Sequence, residues 1–283
     1  MAQSQLEAAN AALFKLGARV VLTTITTSGT TQEERACANR IEICKRAVLR
    51  MHPWNFAIKG KVLTPHASYA ISNVTYVSSQ LIEVTHASGP TYVAGQYVTI
   101  EGVVGATGAN GTFEVASVPG GTTVRLTAPA VTSSTLLGTY TSGGTIRRSP
   151  PFGYAYLYDL PSDFIRLLTV DESPVPEGWK LEGGKLYSLQ DTAQIRYVYD
   201  VTDYTAMDIM FYECLAIYLA WDLCLELGRD NSLKEQLARD LKECIAKARF
   251  VDATENPAET LGVDDWILSR GPRGGAVTAD TYA

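Results

Sequence analysis

The sequence predicts an α+β protein: a bundle of about four helices with a small antiparallel sheet, interrupted by an inserted all-β, barrel-like domain. Three observations carry that expectation. Apolar residues recur at helical spacing before Pro53 and again after Asp203. Between His66 and Arg148 charge almost vanishes, leaving Glu83, Glu101, Glu114 and Arg125 before Arg147, while Ser, Thr, Gly and Val dominate. From Phe152 to Val201 strand-like runs return, with Gly183-Gly184 between two of them as a hairpin turn. The expected organisation is a discontinuous helical core with its sheet over 1–65 and 149–263, a β insert over 66–148 and an extended C-terminal tail over 264–283.

Leu6, Ala9, Leu13 and Leu16 mark the first helix, with Gly17 placed for a left-handed cap. The Thr-rich "TTITTSGTT" bridges to a second, on which Cys37, Ile41, Cys44, Val48 and Met51 share one face and Arg35, Glu42, Lys45 and Arg46 lie elsewhere. Pro53 ends it, because the residue before a proline is driven out of the helical region. In the insert, "QYVTIEGV", "GTFEVASV" and "TTVRLTA" alternate as strands do. After it, "DFIRLLTV", "WKLEGGKLYS" and "AQIRYVYDV" supply the small sheet. "AMDIMFYECLAIYLAWDLCLELG" is apolar almost all round, so it must be covered on more than one side, by its own core or a neighbouring subunit. The fourth helix opens at a possible capping box, Ser232 with Glu235, and lines up Leu233, Leu237, Leu241, Cys244, Ile245 and Ala248.

Composition removes several functional classes. The chain has 283 residues, 46% of them apolar, enough to bury a core, and a formal net charge of -6, which repels nucleic acid. The five cysteines include no C-x-x-C pair and suggest neither a zinc site nor a disulfide framework, and a reducing cytoplasm fits them. "MAQSQLEAAN" lacks the basic and apolar regions of a signal peptide, and "CLAIYLAW" falls short of the roughly 20 residues of a membrane span.

The most tempting chemical motif is "GVVGATGANG", with glycine at 102, 105, 108 and 111. A phosphate loop needs a Lys followed by Ser or Thr, and a dinucleotide fingerprint needs a helix after the glycines, whereas "TFEVASV" reads as a strand. The motif is therefore expected to be a turn-rich β loop. The three histidines, His52, His66 and His86, accompany no G-x-S-x-G elbow, and acidic pairs such as Glu213 with Asp222 read as solvated or interface charges. No cofactor or metal motif survives, so none of either is expected.

The order of segments carries more. "NAALFKLGA", "ERACANRIEICKRAVLRMHPWNFA", "LPSDFIRLL", a long apolar helix and a charged one follow one another, and this succession resembles the head-to-tail adaptor (connector) proteins of tailed phages, the tail tubular protein A-like family. The resemblance covers Gln3 to Ala57 and Asp159 to about Arg270. Its most specific pieces are Trp54-Asn55-Phe56-Ala57, and Leu160-Pro161-Ser162-Asp163 followed by Arg166. The β region departs from the minimal family pattern but is similar to small barrel insertions in phage structural proteins. The resemblance implies a non-enzymatic virion protein of the neck and tail, assembled in the host cytoplasm. It further implies a ring of twelve subunits under the portal protein, meeting the tail tube, nozzle or other neck proteins. Genomic DNA would pass through the lumen without sequence-specific binding, and no membrane is involved.

Within that reading Trp54 and Phe56 clamp the second helix to the sheet, Phe164 and Leu167 pack against them, and Asp163 pairs with Arg166. In the tail, Trp266, Ile267 and Leu268 form a lone apolar knot with Arg270 nearby, a combination suited to docking on the portal or a neighbouring subunit. Two rival classes remain: a phage-borne cell-wall hydrolase, and a decoration or carbohydrate-binding protein using the insert.

Overall fold

The computed structural model describes residues 4–89, 91–150, 153–171 and 178–255. Helix α1 (Gln5–Lys15) starts where the Ser4 hydroxyl accepts from the Glu7 amide. It ends at Gly17, whose positive φ of 66° lets Ala18 N donate back to Leu13 O. Helix α2 (Gln32–Met51) is capped by Thr31, and Cys37, Ile41, Cys44 and Val48 are fully buried along its inner face. Helix α4 (Ile209–Leu223) opens with Asp208 accepting from Met210 N and Phe211 N. It lies among α1, α2 and α5 (Asn231–Glu255), so most of its apolar surface is covered within one chain, with Ile209 at its start left exposed. The capping box does not form: Ser232 sits inside α5 and its hydroxyl donates to Asp230. Among the described residues no helix is long and apolar enough to cross a membrane.

The expected helical bundle with one small sheet is corrected. The molecule is mixed α and β, with five helices and three sheets among the described residues, and is mostly β. Segments read as one sheet divide between two. Strand β9 (Phe164–Val170) and β12 (Ala193–Tyr199) pair with β1 (Ile58–Leu63), in the order β1-β12-β9. The hairpin of β10 (Trp179–Glu182) and β11 (Lys185–Ser188), turned at Gly183 and Gly184 with φ of 55° and 72°, joins β8 (Tyr156–Asp159) instead. The extra strands hide for physical reasons. In "IKGKVL" four consecutive positions are exposed, so alternation is lost, and "YLYD" is too short to show a period.

The third sheet is a closed six-stranded barrel, β2-β3-β6-β5-β4-β7, built from β2 (Tyr69–Ser78), β3 (Leu81–His86), β4 (Tyr97–Glu101), β5 (Gly111–Gly120), β6 (Thr123–Thr127) and β7 (Thr145–Ser149). Its interior has its own core, in which Ile82, Val84, Val98, Leu126 and Ile146 are fully buried. The short helix α3 (Ser134–Leu137) packs on the glycine-rich loop, where Gly105 (φ 85°) passes so close to Thr139 O that a Cβ would collide. The Asn110 side chain accepts from Val103 N and donates to Val103 O, closing that loop as a turn before strand β5.

The chain enters and leaves the barrel side by side. Tyr69 on β2 faces Ile146 on β7, and His66 N donates to Leu157 O of β8 just beyond the exit. Removing residues 66–148 and bridging the gap with a short Gly-Ser linker is therefore expected to leave a cooperatively folding protein of helices and two three-stranded sheets. Thermal unfolding followed by circular dichroism checks this, and a broad non-cooperative melt would contradict it.

Candidate functional site

The two motifs singled out in the sequence meet at the C-terminal end of α2. A helix end leaves carbonyls without intrahelical partners, and here side chains from three parts of the chain supply donors. Trp54 Nε1 donates to Val48 O at 3.1 Å, Arg166 Nη1 to Arg50 O at 3.4 Å, and Arg249 Nη2 to Met51 O at 2.8 Å. Arg50 answers by donating to Ile165 O at 2.9 Å. Trp54 is 1% exposed, and its ring meets Phe211 of α4 edge-on at 5.2 Å, with Phe56 5.1 Å from the same phenyl ring. The expected clamp of α2 on the sheet is corrected: the ring partner of both aromatics is Phe211, so they fasten α2 to α4 through a T-shaped cluster.

Two expected contacts are corrected. Phe164 and Leu167 do not pack against Trp54 and Phe56; they lie in the separate core between the two small sheets, where Phe164 stacks on Tyr197. Ile165 and Leu168 face the helical core instead. The register between β9 and β12 skips both residues, so two bulges replace simple alternation and select the pair three apart. Asp163 does not pair with Arg166. It accepts from Lys59 Nζ and Tyr197 Oη, both at 3.0 Å, while Leu160 packs on the same core and Pro161 O accepts from Phe164 N to turn the chain into β9.

Desolvation pushes the Asp163 carboxyl up, but hydrogen bonds from Lys59 and Tyr197 outweigh it and hold the pKa below the ordinary range. A depressed folded-state pKa means stability that is present above the unfolded value, about 4, and is lost as the pH falls through the folded one. Asp163→Asn is thus expected to flatten the acid limb of a stability-versus-pH curve below about pH 4 while leaving its shape at neutral pH unchanged. Urea titrations from pH 2.5 to 7 test this; parallel curves would reject it.

Sequence reasoning missed the residue that binds the junction to α5. Asp252, one of six buried polar or charged residues among the described residues, takes His52 Nε2 at 2.8 Å and Asn55 N at 3.0 Å on its carboxylate, and its backbone carbonyl accepts from Asn55 Nδ2 at 2.7 Å. The only available hint was that Asn55 separates two large aromatics. Lys45, expected off the inner face of α2, is 1% exposed, with Nζ 2.7 Å from Glu42 and 3.1 Å from Asp200. Gln5 and Tyr204 donate to the same Glu42, so one polar cluster joins α1, α2 and the end of β12. Arg40 grips Asp222 of α4 with two bonds, at 2.6 and 2.9 Å.

Trp266, Ile267, Leu268 and Arg270, with the whole of 264–283, lie outside the described residues. Among the described residues no group of three or more His, Cys, Asp or Glu is arranged to hold a metal. Burial pushes the Cys37 and Cys44 thiols up to about 12, which makes them poor nucleophiles. A pocket of about 330 Å³ opens between the barrel and β11, lined by His66, Tyr97, Arg148 and Lys185 among others. In this geometry side chains converge on helix ends and strand registers. No family model matches the chain, and no curated protein matches it.

Proposed function

We propose that this chain is a non-enzymatic virion protein, a head-to-tail adaptor that forms a ring under the portal of a tailed phage and joins capsid to tail. The observation that supports it best is the convergence of the two family-like motifs. Trp54 and Arg166, more than a hundred residues apart, both serve the end of one helix, as expected if the motifs are the common frame of such adaptors. The net charge of -6 suits a conduit, because a negative lumen repels DNA phosphates and lets the duplex slide.

In this reading the barrel is a lateral module and the tail, with Trp266 as its anchor, docks on the portal or the next subunit. Truncation after Glu259 is expected to give a soluble subunit with near-normal melting that no longer co-sediments with portal rings; normal co-sedimentation would reject tail docking. The adaptor role itself is tested by gold-labelling this chain on purified virions for negative-stain microscopy. Label at the head-tail junction is the expected result, and label confined to the capsid surface or fibre tips would overturn it.

A further inference from the structure

Cys214 of α4 and Cys244 of α5 are both buried free thiols, 30 residues apart in sequence, and their Sγ atoms stand 2.6 Å from each other. The remaining cysteines have no such neighbour: Cys37 and Cys44 are a helical face of α2, and Cys224 Sγ faces Asp230 O at 3.6 Å. Sulfurs this near need only a small movement of two packed helices to reach the bond length of a disulfide, about 2.05 Å. We propose that Cys214 and Cys244 are an oxidisable pair that closes into an intrachain disulfide, tying α4 to α5, when the chain meets a low-molecular-weight disulfide.

The chemistry balances through ordinary exchange. Cys244, 8% exposed against 0% for Cys214, is the less enclosed of the two and the one that a small opening of α5 exposes first. Its thiolate attacks one sulfur of the small disulfide and expels the first small thiolate. The Cys214 thiol, whose pKa is held up by its hydrogen bond to Cys244 while Cys244 is free and by burial, then passes its proton to the small thiolate just released, attacks Cys244 Sγ in the mixed disulfide and expels the second. The two protons given up by the protein thiols end on the two small thiols released, and the oxidant's bond is exchanged for the protein's. The hydrogen bond from Cys214 favours Cys244 as the attacking group by drawing its thiol pKa down. The bond would fix α5 about 12 Å, or two turns, before Asp252, and so hold the segment that clamps His52 and Asn55.

The test uses the full chain, reduced and then incubated natively with oxidised glutathione before thiols are blocked and peptides mapped. The expected result is loss of two of five free thiols, a Cys214–Cys244 cross-linked peptide, and a melting temperature raised by on the order of 5 °C, reversed by dithiothreitol. Cys244→Ser should abolish all three changes, and Cys37→Ala should keep the cross-link. Five thiols still free after oxidation, a glutathione adduct that persists on Cys244, or cross-linking only in denaturant would overturn the proposal. Unchanged melting of the cross-linked form would overturn the claim that the bond ties the two helices.

Discussion

Replacing Trp54 with alanine is expected to lower stability by about 3 to 5 kcal/mol, the range for emptying a buried large aromatic site. The side chain is almost wholly enclosed, and three rings surround it: His52 at 5.1 Å, Phe211 at 5.2 Å and Phe56 at 6.3 Å. Its loss opens a cavity where the end of α2, α4 and the entry to β1 meet, and it leaves Val48 O without its indole donor. Trp54→Phe separates the two contributions, since it keeps a ring and loses the bond, with an expected cost nearer 1 to 2 kcal/mol. Urea unfolding monitored by far-ultraviolet circular dichroism measures both. Wild-type stability of the alanine variant would mean the pocket closes without cost and would discard the clamp.

The second large effect is expected at Asp252. Asp252→Ala removes the acceptor for His52 Nε2 and Asn55 N from a site where the carboxylate is about 10% exposed, and an expected loss of about 2 to 4 kcal/mol follows from two charge-assisted bonds in a shielded place. Asp252→Asn retains an oxygen for Asn55 N and should recover part of it. Hydrogen exchange separates local from global damage: the last two turns of α5 and the Asn55 amide should exchange faster than the centre of α4. Uniform acceleration across the whole helical region would contradict a local clamp.

The helix faces were readable because Cys37, Ile41, Cys44 and Val48 repeat at a period that only a helix satisfies. The barrel strands were readable because Val98 and Ile100, or Val124 and Leu126, alternate cleanly against a small interior. Both successes rest on short-range periodicity. The failures are long-range. Nothing local distinguishes Lys45 from its solvated neighbours, since its burial is set by Asp200, far along the chain. Asp252 looks like any charge on a polar helix until α2 ends beside it. The inward choice of Ile165 and Leu168 over Phe164 and Leu167 depends on bulges, which shift a strand's facing without changing its composition. The division of the sheet into two failed for the same reason, because pairing partners are chosen by edges that lie far apart in sequence.

The adjacent entry and exit of the barrel also determine how force and change travel through the molecule. Because Tyr69 and Ile146 are neighbours on paired strands, the barrel hangs from the chain as a pendant, and tension between the helices and the β1-β12-β9 sheet runs through β1 and β12 without crossing it. Its size is then uncoupled from the spacing between the helices and that sheet. A compact domain of any length whose termini lie side by side can occupy the same position, which makes residues 66 to 148 a natural graft point for a reporter or an affinity module.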